Sequence, residues 1–328
     1  MSPGLRLGAF AAIVALAFGA ATLAGAALDP DVREQKDEHE EGTMPSEETQ
    51  HAQGSEQQAH EQAAGHDAHG ASEPAGLAAA QSGYRMVPET TIAEPSEDAA
   101  YRFRILDDEG EPLRDYDTTH ERRMHLILVR RDFTEFQHLH PRQRGDGAWE
   151  TTADLRAPGT YRVFADFSTG GEGLTLASDL FVEGDFHPAP LPEPTRKAPA
   201  GGGYEVRLAN RAEPRTGEPT PLRFRVLHDG EPVDELEPYL GADGHLVALR
   251  EHDQAFLHTH PEGEAGGSGP IEFNVSYPTP GRYRLYLQFK HDGEVHTAEF
   301  TQAVGEVGPV LANGAAIGRG HGEPGHGH

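Results

Sequence analysis

The chain has 328 residues, 36% of them hydrophobic, and 54 Asp and Glu against 27 Lys and Arg give a formal net charge of -27. That charge excludes a sequence-independent grip on nucleic-acid phosphates and a basic patch for anionic lipid, leaving cations as the natural partners. There is no cysteine, so disulfides and thiolate ligands are excluded, and only His, carboxylates and the 4 methionines remain to bind a metal.

The first predicted element is a leader. Arg6 precedes an uncharged apolar run from Leu7 to Leu28 that is long enough to span a bilayer. Ala24, Gly25 and Ala26 also form a small-residue cleavage site, so an uncleaved membrane anchor and a cleaved signal both fit. Arg6 before the run and the acidic "DPDVREQKDEHEE" after it place the rest of the chain outside the cytoplasm, membrane-anchored or secreted.

Residues 29–77 are rich in Glu, Gln, His, Ala and Gly and lack the apolar side chains a core needs, which predicts a disordered linker. The tail 306–328 has the same character. His39, His51, His60, His66 and His69 in the first segment, with His321, His326 and His328 in the last, suit loose metal capture or plain solvation.

Between these tails the sequence is an internal duplication. "YRFRILDDEGEPL" (101–113) matches "LRFRVLHDGEPV" (222–233), and "APGTYRVFADF" (157–167) matches "TPGRYRLYLQF" (279–289). This predicts a first domain over 78–185, a Pro-rich connector over 186–203 and a second domain over 204–305. Within each copy, apolar residues alternate with polar ones over short runs bounded by Gly, Pro and Asp. The predicted class is all-β: two tandem antiparallel β-sandwiches behind the membrane-targeting helix and the linker. The Pro-Gly-x-Tyr step into a late strand resembles the tyrosine-bearing strand of immunoglobulin-like sandwiches.

The chemistry lies in "MHLILVRRDFTEFQHLHP" (124–141) and "GHLVALREHDQAFLHTHP" (244–261), identical at seven of 18 aligned positions, three of them histidine. Both read H-x12-H-x-H-P. Residues i and i+2 of a strand share a face about 7 Å apart, so each H-x-H offers two imidazoles on one side. If a hairpin pairs Arg131 with Thr134, His125 faces His140, and His138 lies diagonally on the same face. A one-residue slip would send His125 to the other side. The candidate ligands are therefore His125, His138 and His140 in the first copy and His245, His258 and His260 in the second, with His120 as an optional fourth. The second copy has Leu240 in the place of His120. Three neutral imidazoles without thiols suit Cu(II), Zn(II) or Ni(II), with oxidised copper or zinc favoured because methionines are few. Glu121, Glu135, Asp253, Glu262 and Glu264 are the carboxylates near enough in sequence to assist.

A second reading stays open. Ile127, Val129 and Phe136, with Val247, Leu249 and Phe256, fall on the same face, so it is equally a core face whose histidines hydrogen-bond to the main chain. A third is enzymatic. His258, His260 and Glu264 resemble the first metal motif of cupins, but the upstream glycine, the second motif and any counterpart in the first copy are missing. No nucleophile elbow, phosphate loop or dinucleotide fingerprint is present.

With the "H-L-[IV]-x-x-R... F-x-H-x-H-P" blocks, "EPYLGADGHLVALR" and the "PG-x-YR" strands together, residues 78–305 resemble a group of bacterial secreted or membrane-anchored proteins. Their domains are similar to immunoglobulin-like YtkA/FixH-type domains, some labelled heavy-metal-binding. The resemblance implies a β-sandwich, an envelope location and an association with metal. The expectation is a non-catalytic extracytoplasmic protein that binds or passes on a divalent transition metal, copper before others, through a three-histidine cluster in each domain. The alternative is a structural or protein-interaction module of the envelope, and the residues name no protein partner.

Overall fold

Alternation in the sequence becomes strands in the computed structural model, which describes residues 74–305 apart from 211, 212, 258, 263–265, 267, 268 and the side chain of His260. The leader, the His-rich tails and Glu264 lie outside the described residues. In Ala99–Leu106, Tyr101, Phe103 and Ile105 turn into a core while Arg102 and Arg104 face outwards. Pro219–His228 alternates in the same way, with Leu222, Phe224 and Val226 inside. Such strands cover a core with one face and meet water with the other. Among the described residues every regular element is a strand, and no helix is long and apolar enough to cross a membrane.

Each repeat is a sandwich of two sheets. In the first, Ala80–Gln81, Tyr84–Pro88, Ala99–Leu106, Trp149–Ala153 and Arg142–Gln143 form one sheet in that spatial order. The opposing sheet orders Ile92–Ala93, Glu172–Val182, Gly159–Thr169, His125–Arg130 and Gln137–Leu139. The second repeat pairs Lys197–Gly201, Tyr204–Leu208, Pro219–His228, Ile271–Ser276 and His260–Glu262, facing a sheet of Phe256–Leu257, His245–Arg250, Gly281–His291 and Glu294–Val304.

The late strand begins alike in both repeats. Tyr161 Oη donates to the Ala157 carbonyl at 2.8 Å, and Tyr283 Oη donates to the Thr279 carbonyl at 2.9 Å. This is the tyrosine corner of immunoglobulin-like domains. Gly159 and Gly281 in the preceding turns have φ of 131° and 133°, a region that only glycine enters cheaply.

The expected connector is shorter than its composition suggested. Lys197–Gly201 pairs antiparallel with Tyr204–Leu208 as the edge strand of the second sandwich, Ala198 being buried. Pro199 disguised it in the sequence. An edge strand tolerates proline, and the register shifts between Pro199 and Gly201.

Some strands are apolar on both faces. In His125–Arg130 every residue before Arg130 is buried. Leu126 and Leu128 enter the first sandwich's own core, whereas Ile127 and Val129 join a third cluster with Phe133, Phe164, Ala177, Val247, Leu249, Phe256 and Tyr286. That cluster lies between the repeats, which belong to one compact unit. The contacts are quasi-symmetric, because Phe136 stacks on Tyr286 at 4.1 Å while their counterparts Phe256 and Phe164 meet at 5.5 Å. The two sandwiches thus bury the same sheet face against each other, as the halves of an isologous dimer do. The face read as core is a core face, and what covers it is the other repeat. Tyr286 Oη donating to the Phe133 carbonyl at 2.8 Å and Gln254 Nε2 donating to the Arg130 carbonyl at 3.0 Å cross the seam. Ala75 and Gly76 lie in it too, with the Phe256 amide donating to the Ala75 carbonyl at 2.9 Å and the Gly76 amide to the Thr175 carbonyl at 3.0 Å.

Candidate metal centre

The hairpin after His125 forms with Leu126 opposite Leu139, Ile127 opposite His138 and Leu128 opposite Gln137. This is the register in which Arg131 opposes Thr134. It puts His125, His138 and His140 on the seam-facing side of the sheet, and their rings meet: centroids lie 5.2 Å apart for His125 and His138, 5.3 Å for His125 and His140, and 4.7 Å for His138 and His140. The chain then changes sheets, since Arg142–Gln143 pairs with Trp149–Ala153. His140 and Pro141 occupy that crossing.

His245 comes to the same place from the second repeat. Its ring lies 4.5 Å from His138 and stacks at 5.7 Å on His125, its own counterpart. One ligand nitrogen from each of His125, His138 and His245 lies within 4.8 Å of the others. The optional ligand His120 sits at a turn with φ of 50°, its ring 6.2 Å from His125 and 6.0 Å from His245. Thr119 and Arg122 close that turn through mutual backbone hydrogen bonds of 2.8 and 3.1 Å, and Tyr239 and Ala242 close its counterpart around Leu240. To the expectation of one cluster per domain the described residues add a group that draws on both domains. The first triplet converges, and His245 joins it because the repeats dock through the face that carries the histidines. His258 and the side chain of His260 lie outside the described residues. The group of converging ligand atoms contains no carboxylate among the described residues, and Asp253 is held by Arg250 Nε at 3.1 Å.

Proton placement decides what these rings can do. His125 Nε2 lies 3.0 Å from the Thr119 carbonyl, which only accepts, so that nitrogen carries the proton. His138 Nδ1 lies 2.7 Å from Gln288 Oε1, and His138 Nε2 faces His125 Nδ1 at 3.0 Å. With both outer nitrogens protonated, the two inner ones present lone pairs to each other. Two nitrogens bound at about 2.0–2.1 Å to one zinc ion lie about 2.9–3.4 Å apart, which this pair matches. The third ligand atom needs a ring rotation that closes up to about 1.5 Å, given the 4.8 Å spread. His245 Nδ1 and His140 Nε2 are buried without a hydrogen-bond partner among the described residues. Such orphaned nitrogens are costly unless something binds them.

The rings are also held neutral, the form that ligates. Burial, then the neighbouring His125 and His140, pushes His138 down to about 3. Burial, then His125 and Arg122, lowers His140 to about 4. His245 lies well below the ordinary 6.5, through burial and then the rings of His138, His125, His120 and His140.

Sequence reasoning did not reach Gln288, which stands opposite His245 in the strand ladder as Asp166 stands opposite His125. The only available signal was this repeat-to-repeat equivalence.

Residues 79–184 and 198–306 each match the domain family described as Domain of unknown function (DUF8832). The chain belongs to that family. Each DUF8832 domain therefore supplies a histidine to the group: the first gives His125 and His138, the second His245. No curated protein matches the sequence. Some solved structures are similar to the chain at low identity and low structural overlap. The chain is similar to Escherichia coli alpha-2-macroglobulin activated by porcine elastase, with 16% identity over 68% of this chain and 20% of that one and a TM-score of 0.24. It is also similar to the Escherichia coli adhesin FdeC, at 15% identity over 67% and 63% with a TM-score of 0.22. For the titin immunoglobulin tandem A164-A165 the values are 12%, 68%, 96% and 0.19. The chain spans about a fifth of that alpha-2-macroglobulin.

Proposed function

We propose that this protein binds a divalent transition metal, copper or zinc, at a centre shared by its two domains, and holds or passes on the ion outside the cytoplasm without catalysing a reaction. The observation that supports this is the convergence of three imidazole nitrogens within 4.8 Å, drawn from both repeats, beside ring nitrogens of His245 and His140 that have no hydrogen-bond partner among the described residues. His125, His138 and His245 would hold the ion, with His140 and His120 as further donors. The ion would supply positive charge between the two inner ring nitrogens that face each other at 3.0 Å. The leader supports an extracytoplasmic site, anchored or secreted, and the resemblance to YtkA/FixH-type and heavy-metal-binding proteins accords with it.

One observation favours a second reading, in which the rings only pack and hydrogen-bond. His125 and His138 already bond to Thr119 and Gln288. Calorimetric titration of the full chain with Zn(II) and with Cu(II), beside the His125→Ala/His138→Ala/His245→Ala variant, separates the two. The metal reading expects a micromolar or tighter class of sites that vanishes in the variant while weak tail binding persists. Identical isotherms, with the fold intact, leave the packing reading.

A further inference from the structure

Gln288 belongs to the second repeat, yet its amide oxygen meets a histidine of the first, 2.7 Å from His138 Nδ1. It is buried, 7% exposed, and its Nε2 donates to Thr297 Oγ1 at 3.3 Å. An amide turned over by 180° fills the same space with oxygen and nitrogen exchanged.

The two orientations impose different proton arrangements on the same rings. With Oε1 towards His138, Nδ1 must donate, and His138 Nε2 presents a lone pair to His125 Nδ1, which is bare as well because His125 Nε2 donates to Thr119. With the amide reversed, its NH2 donates to His138 Nδ1, His138 Nε2–H donates to His125 Nδ1, and His125 Nε2–H donates to the Thr119 carbonyl. Thr297 Oγ1 then donates to the amide oxygen. Every group in that chain is satisfied without an ion and without a charge.

We propose that Gln288 is a positioning residue that selects between these states: its amide turns NH2 towards His138 in the metal-free protein and oxygen towards it when the ion is held. The proposal rests on the metal reading above. Removing the ion moves the proton of neutral His138 from Nδ1 to Nε2, where it bridges to His125. The vacancy is thereby closed by a hydrogen bond, so no lone-pair repulsion has to be relieved by parting the repeats. Asp166, the counterpart of Gln288, carries a carboxylate that only accepts and cannot do this.

The test is long-range 1H–15N correlation on the full chain with labelled histidine, without metal and with Zn(II). The expected result is His138 protonated at Nε2 in the metal-free protein and at Nδ1 in the zinc form. Gln288→Glu, which accepts in either orientation, should hold His138 as Nδ1–H even without metal and tighten Zn(II) binding about tenfold. Gln288→Met should weaken it by about 10–100-fold, the usual effect of losing an outer-shell partner. A residue with only a packing role would lose affinity in both variants. Nδ1–H on His138 in the metal-free wild type, or weakening in both variants, overturns the proposal while leaving the metal reading intact. Failure of the wild type to bind Zn(II) overturns the metal reading, and this proposal with it.

Discussion

His138 shows how one side chain is shaped by neighbours from two domains. Its neutral form is favoured in the folded protein, where burial first and then adjacent rings set it at about 3, against 6.5 in an exposed chain. On acidification the unfolded chain takes up protons first. The stabilising effect is therefore fully present above 6.5 and is lost as pH falls towards the folded value, at up to about 1.4 kcal/mol per pH unit for each such group. His140 and His245 shift in the same direction. Urea midpoints of metal-free protein should thus fall between pH 6.5 and 4.5, and less steeply in His138→Gln/His245→Gln. An equal slope in both proteins would refute the assignment. The histidines themselves were legible, since three recurred at fixed spacing in both copies. Gln288 was not: a glutamine in an ordinary strand carries no signature when its partner lies 150 residues away.

At the scale of elements, strand pairing did most of what the spacing promised. The period-two face was readable, and the Arg131–Thr134 register, open in the sequence as a condition, is the one that keeps the Leu126 and Ile127 faces in their different cores. What stayed hidden is the partner of the Ile127 face. A strand such as "HLILVR", apolar on both sides, says that both faces are covered without saying by what. The late strands supply the test. Tyr286→Phe removes a buried donor and leaves the Phe133 carbonyl unpaired, which should cost about 1–3 kcal/mol in chemical denaturation. Phe164→Ala empties the contact with Phe256 and should cost about 3–5 kcal/mol. Tyr161→Phe, within the first sandwich's corner, should cost only about 0.5–1.5 kcal/mol. If Tyr286→Phe were neutral, the docking of the two faces would need another explanation.

For the whole molecule, a ligand held by both domains should couple their unfolding. With free Zn(II) at 100 times its dissociation constant, the folded state gains about 2.7 kcal/mol. Scanning calorimetry should show a higher melting temperature and one transition with zinc, and a return to the metal-free profile when a chelator is added. An unchanged trace would contradict a shared centre. Composition and duplication made two sandwiches legible, but their docking was not, because each repeat taken singly is a complete sandwich and the seam exists only when both are assembled. Ala75 and Gly76 lie in that seam, bonded to a strand of each domain, and Arg162 Nη2 donates to the Gly76 and Leu77 carbonyls at 2.9 and 2.7 Å. The polypeptide thus enters the folded body at its joint. Tension applied ahead of residue 74 would be felt first in the seam, where Ala75 and Gly76 bond to Phe256 of one repeat and Thr175 of the other.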